Sequence, residues 1–181
     1  MDKVRIFYGV FLLQRQLGTT MAEYDIKFGE RLATVAKSLV TNGIEELDAQ
    51  RTVLYLSLLS AEITLKAMLE QAGKPVTHIQ GRSHKLSELL ADLSNCEVEV
   101  EVASGLRKWV PATRLRSCTL DHGEKKITVG NVLEAESQGA SKYPNKVRYG
   151  DLLSHFPPEV VSEMAEQVAA FARQHWQSIR I

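Results

Sequence analysis

Residues 51–70 read RTVLYLSLLSAEITLKAMLE, and no other stretch restricts the fold as strongly. Val53, Leu54, Leu56, Leu58, Leu59, Ala61, Ile63, Leu65, Ala67, Met68 and Leu69 cover every side of a helix of about 3.6 residues per turn. No face is left for water, so the rest of the chain must surround it. Glu62 and Lys66 stand four apart with the acid first, the favoured order for a helical ion pair, and both need that pairing if they are buried. The same charges argue against a membrane span.

The chain has 181 residues, 44% hydrophobic and 24% charged, which is enough for one domain with its own core. Its formal net charge is zero, so the overall balance does not point to nucleic acid or an acidic membrane surface, although a local basic patch remains compatible with it. Cys96 and Cys118 form no CxxC and have no cluster of histidines beside them. They read as free thiols in a cytoplasmic protein, with no metal and no cofactor expected. Residues 1–20 carry an apolar run behind Lys3 and Arg5, but Gln14 and Arg15 follow at once and no small-residue cleavage site is evident. They read as an N-terminal extension or extra helix, or as leader sequence ahead of a start at Met21.

Along 22–40, Phe28, Leu32, Val35, Ala36, Leu39 and Val40 fall on one helical face, and Asn42-Gly43 supplies the stop. The apolar central helix begins near Glu46 and ends at Gly73, ahead of Lys74-Pro75; the short connection makes these two helices an antiparallel pair. Ser83 is placed to cap a third helix with the stripe Leu86, Leu89, Leu90 and Leu93. Residues 95–102, NCEVEVEV, alternate as a strand does, yet Val102, Leu106, Trp109 and Thr113 also fit one helical face, and a helix over 104–117 bent at Pro111 is the preferred reading. The β-prone runs 117–120 and 126–129 flank a turn-rich segment and predict a small hairpin. Residues 130–149 read as surface loop around a short helix at 132–136, and Pro157-Pro158-Glu159 opens a last helix bearing Val160, Val161, Met164, Val168, Phe171, Ala172, His175 and Ile179.

Two stretches carry a resemblance. Ser60-Ala61-Glu62-Ile63-Thr64-Leu65-Lys66-Ala67, followed by Ser83-His84-Lys85-Leu86 and Leu89-Leu90, resembles the signature of HEPN (higher eukaryotes and prokaryotes nucleotide-binding) domains. Lys142-Tyr143-Pro144-Asn145-Lys146-Val147-Arg148-Tyr149 resembles the segment that precedes that family's last helix. The match is anchored over roughly 22–176, with 21–181 as the domain and a poorly matching insertion at about 95–140. The resemblance implies an all-α antiparallel bundle of four to five helices, here with a small β-hairpin insertion, and a homodimer. It implies a setting in prokaryotic toxin–antitoxin, phage-defence or nucleotidyltransferase-associated systems, with an antitoxin or nucleotidyltransferase as partner.

Active members of that family are metal-independent ribonucleases that use an arginine followed, after four to six residues, by a histidine. Two pairs in this chain satisfy the spacing: Arg116 with His122, and Arg148 with His155. The chemistry suits the residue types, since an imidazole moves a proton at the ribose hydroxyl or leaving oxygen while a guanidinium holds the phosphate. Chance produces such pairs readily, and His122 also reads as a solvated turn residue. His84 matches a helix-start position in the family and reads as structural, and His175 reads as a packed, hydrogen-bonded core histidine. Arg107, Lys108, Trp109 and Arg114 form a basic run able to hold phosphates or stack a base, or simply a solvated face. No P-loop, GxGxxG, GxSxG or HExxH is present. The expectations are therefore a module that binds RNA, a nucleotide or a protein partner, an active endoribonuclease, or a structural dimeric adaptor.

Overall fold

In a computed structural model of the chain, the residues described are 22–121, 126–137, 143–149 and 155–181. Residues 1–20 and the hairpin turn that holds His122 lie outside them. The described chain is mostly helical with small antiparallel sheets. Its elements are α1 (Ile26–Asn42), α2 (Leu47–Gln71), α3 (Val76–Gly81), α4 (Leu86–Ser94), β1 (Glu97–Ala103), β2 (Leu106–Pro111), a 3-10 turn (Ala112–Arg114), β3 (Thr119–Leu120), β4 (Ile127–Thr128), α5 (Val129–Ser137), α6 (Asn145–Tyr149), α7 (Pro158–His175) and β5 (Ile179–Arg180).

Helix α2 is the axis, as its uniform apolarity requires. Leu54, Leu58, Leu65, Met68 and Leu69 are fully or almost fully buried, each such side chain stabilising by about 1.5–3 kcal/mol relative to exposure. The helix is long and apolar enough to cross a membrane, but most of its surface is covered by the other elements. Helices α1 and α7 pack along it and α4 closes another side. Val160, Val161, Met164, Val168 and Ala172 of α7 complete the core, with Pro158 in the first turn where its missing N–H costs nothing.

Helix α1 starts at Asp25, whose side chain accepts from the Lys27 N–H, and stops at Gly43, which adopts a φ of 99°. Its orientation corrects the expected apolar face. Gly29, Ala33 and Ala36 are the buried positions, while Phe28 and Val35 are 48% and 49% exposed. Close approach to α2 decides this. Ser60 Oγ donates to the Gly29 carbonyl at 2.7 Å, and a Cβ on residue 29 would lie 2.4 Å from Thr64 Oγ1. A seam of small residues brings the two backbones closer than Phe28 could, so the larger side chains turn outward.

Ser83 does not cap the third helix: it has a φ of 51°, and the cap is Lys85, with the helix beginning at Leu86. The preceding loop contains α3, whose Ile79 is buried. Arg82 locks this corner by a bidentate pair with Asp92, at 2.6 and 2.8 Å, and a bond to Glu88 at 2.8 Å, while His78 meets Asp92 at 2.9 Å. Burial alone would raise the Asp92 carboxyl, but Arg82 and His78 overcome it and hold the group below its ordinary range.

The helix preferred for 104–117 is overturned. Residues 97–111 form a hairpin turning at Gly105, with Val98 opposite Val110 and Glu99 opposite Trp109. The alternation Val98, Val100 inward and Glu99, Glu101 outward was the operative pattern, and its stabilising partner comes from the far end of the chain. Strand β5 pairs with β1, placing Ile179 beside Val98 and Arg180 beside Glu97, so the sheet order is β2-β1-β5. Ile179 is accordingly in a strand and not in the last helix. Arg180 sits 3.9 Å over the Trp109 ring and bonds Glu97 at 2.7 Å. The smaller predicted hairpin is present, with Thr119–Leu120 paired to Ile127–Thr128. The described parts of 130–149 are less superficial than expected: Val132 and Leu133 of α5 and Val147 of α6 are buried.

Both ends of the described chain are tied to the same end of α2. The backbone N–H groups of Glu23 and Tyr24 donate to the Glu70 carboxylate at 2.9 and 3.1 Å, and the Ile181 N–H donates to the Ala72 carbonyl at 3.2 Å.

Candidate functional site

Tyr55, Glu62, Lys66 and Glu70 lie seven, four and four apart on α2, a polar line down an otherwise apolar helix. Glu62 is its centre. Lys66 Nζ donates to Oε1 at 2.7 Å, with both side chains buried. His84, entering from the turn before α4, places Nδ1 at 3.0 and 3.1 Å from the two carboxylate oxygens. Tyr143 donates its hydroxyl to Oε2 at 2.8 Å. Three donors on one carboxylate offset the cost of taking its charge out of water. Burial, then the charge of Glu62, pushes the Tyr143 phenol far above its ordinary range, so it remains a donor at any physiological pH.

The network runs outward from this centre. The Lys66 ammonium lies 5.4 Å from the Tyr24 ring centroid. The Tyr143 ring is 6.0 Å from His84, edge to face, and 6.1 Å from Tyr55. Arg148 Nη2 and Nε donate to the Tyr55 hydroxyl at 2.6 and 3.1 Å, with the guanidinium 5.3 Å from that ring's centroid. Burial of Val147 anchors the short helix α6, which turns Arg148 and Tyr149 to the surface, Tyr149 being 81% exposed. Among the described residues Arg148 pairs with no carboxylate. His84 is half exposed on its side chain. With Nδ1 turned to Glu62, Nε2 is the nitrogen left for a second partner, and it has none among the described residues.

The expected pairs fare differently. Arg116 forms an ion pair with Glu134 at 2.5 Å, and its backbone carbonyl accepts from the Gly130 N–H at 2.9 Å, an approach that leaves no room for a Cβ on residue 130. A phosphate at Arg116 must compete with that carboxylate. Its companion His122 lies outside the described residues. Arg148 joins the Glu62 network, while His155 is exposed just ahead of α7. The basic run is split by the hairpin: Arg107 pairs with Glu99 at 3.3 Å, Trp109 lies under Arg180, Lys108 is exposed, and Arg114 follows the strand without an ion pair among the described residues. In the sequence Glu62 and Lys66 read only as an ion pair, His84 as structural and Tyr143 as part of a motif, and Tyr55 is not singled out. Its place on the polar line of α2 was the available signal. Among the described residues no three His, Cys, Asp or Glu side chains converge as a metal site would require.

Compared with family models, with curated proteins and with solved structures, the chain matches none.

Proposed function

We propose that this chain is a HEPN-like helical module that binds single-stranded RNA or a nucleotide at the face formed by Arg148, Tyr149, Tyr55 and His84, as a homodimer in a toxin–antitoxin or phage-defence setting. The observation that carries the reading is Arg148: a guanidinium held by Tyr55, unpaired with any carboxylate among the described residues, beside the exposed ring of Tyr149. A fixed cation beside an exposed aromatic is the pairing that single-stranded nucleic acid requires, phosphate on one and base on the other. The test is fluorescence anisotropy of a labelled oligoribonucleotide across a salt series. Binding that weakens with salt, and falls with a shallower salt slope in Arg148→Ala, supports the reading; binding indifferent to both sinks it.

A second reading, cleavage of the bound RNA, is favoured by His84. Its Nδ1 is fixed by Glu62 and its Nε2 is free among the described residues to move a proton, while Arg148 holds phosphate. Cleavage in EDTA that disappears in His84→Ala but persists in His155→Ala would support this over the pair Arg148 and His155.

A further inference from the structure

An apolar groove runs where the outward flank of α1 meets a sector of α2, on the side of α1 away from α7. On α1 the stripe is Phe28, Leu32, Val35 and Leu39; Phe28 and Val35 are 48% and 49% exposed, and the other two are half-buried. On α2 the sector is Leu56, Leu59 and Ile63, each half-buried on a helix otherwise enclosed. It lies between the Ser60 and Thr64 contacts to α1 and the polar line that ends at Glu70. The ion pairs Lys37–Glu166 and Arg173–Glu30 hold the opposite flank of α1 against α7. We propose that the apolar run Ile6–Leu13 of this same chain fills the groove, antiparallel to α1, with Lys3 and Arg5 beside Glu45 and Glu46.

The place where the described chain begins selects this occupant. The Glu23 and Tyr24 N–H groups are fixed to the Glu70 carboxylate, so the chain reaches residue 22 beside the end of the groove formed by Ile63 and Phe28. Along α2, Glu70 stands about 10 Å from Ile63, whereas residues 14–21 can span up to about 26 Å. The groove from Phe28 to Leu39 is about 16 Å long. Residues 6–13 cover about 12 Å as a helix and about 26 Å as a strand, which brackets that length. Their Ile6, Phe7, Val10, Phe11, Leu12 and Leu13 bring apolar surface to a face that leaves apolar side chains in water.

Charge sets the direction. At the Leu39 end, Glu45 and Glu46 are exposed and form no ion pair among the described residues, while Asp48 is already bonded to Arg51 at 3.3 Å. At the Phe28 end, the exposed Lys27 and Arg31 are balanced by Glu23 and Asp25. Lys3 and Arg5 precede the apolar run, and a run that leaves residue 22 and passes along the groove delivers them to the acidic end. A second copy of the chain is the competing occupant. A segment tethered beside the groove by so few residues is present at an effective concentration of about millimolar, which a second copy has to exceed.

The experiment is photo-crosslinking of the whole chain with benzoylphenylalanine in place of Phe7 or, separately, of Leu13. Isotope-labelled and unlabelled protein are combined in urea and refolded together, so that mass spectrometry tells crosslinks within a chain from those between chains. The probe at position 7 should map to the peptide holding Leu39 or Leu56, the probe at position 13 to the one holding Phe28 or Ile63, and each crosslink should join groups of one isotope. Phe28→Asp combined with Val35→Asp changes two exposed positions and should cut the yield at least about fivefold while the circular dichroism spectrum stays that of the parent. Crosslinks between labelled and unlabelled chains would assign the groove to a second copy and overturn the proposal. Capture at another surface, the two probes mapping in reverse order, no crosslink, or an undiminished yield in the folded double variant each overturns it as well.

Discussion

Tyr143 reaches across 81 positions of sequence to donate its hydroxyl to Glu62 at 2.8 Å, joining the segment that leads into α6 to the middle of α2. Tyr143→Phe keeps the ring between His84 and Tyr55 and removes only that donor. The expected loss is about 1.5–3 kcal/mol of unfolding free energy, the range for a hydrogen bond to a charged group, read from urea midpoints at constant slope.

Lys66 is the costlier member of the same network to remove. Lys66→Met leaves Glu62 buried with two partners in place of three, and the expected destabilisation is about 3–5 kcal/mol. Adding Glu62→Leu should recover part of that loss, because a buried ion pair replaced whole by apolar side chains leaves no unpaired charge. A double-mutant cycle by urea denaturation measures the recovery; strict additivity would contradict the geometry.

Gly29 is set by contact and not by turn conformation. Gly29→Ala places its methyl against Thr64 Oγ1, and overpacking of this kind costs about 1–3 kcal/mol. Thr64→Ala removes the obstruction and leaves the next atoms at 3.4 Å, so the double variant should regain most of the loss in thermal melts.

How far the sequence speaks can be seen in these positions. The burial of α2 and the Glu62–Lys66 pair are legible because both follow from a local period and one internal spacing. The outward turn of Phe28 and Val35 is not, because it depends on how closely Gly29 approaches Thr64 on another helix. The strands at 97–111 showed their alternation, but the helical alternative fails only when β5, from the end of the chain, supplies the third strand. Of the site, Glu62, His84 and Tyr143 stood in quoted motifs without any sign that they meet. That meeting is a tertiary fact, and spacing rules built on neighbours within one segment pointed to Arg116 with His122 and Arg148 with His155.

His175 gives stability a pH dependence with a definite sign. Burial lowers its folded pKa below the ordinary 6.5, so at falling pH the unfolded chain takes up the proton first. The contribution is fully present above about pH 6.5 and declines as pH drops toward the folded value. His175→Phe should therefore show a smaller fall in urea midpoint between about pH 7.5 and pH 5.5 than the parent protein.

Tyr149 tests the nucleic-acid reading from the base side. Its ring is exposed and buries little against the fold, so Tyr149→Ala should leave the melting temperature within about one degree of the parent while weakening oligoribonucleotide binding by about 1–3 kcal/mol, with an unchanged salt slope. Arg148→Ala should change the slope itself. The two variants separate stacking from phosphate contact in one anisotropy series.

The attachment of Glu23, Tyr24 and Ile181 to Glu70 and Ala72 has a mechanical meaning. Tension applied between residues 22 and 181 enters the molecule at two anchors only two residues apart, Glu70 in the last turn of α2 and Ala72 just past it, so the load passes through a short bridge and not along the helical axis. Pulled that way, the first contacts to bear the load are the bonds of Glu23 and Tyr24 to Glu70 and of Ile181 to Ala72, with the pairing of β5 to β1 beside them.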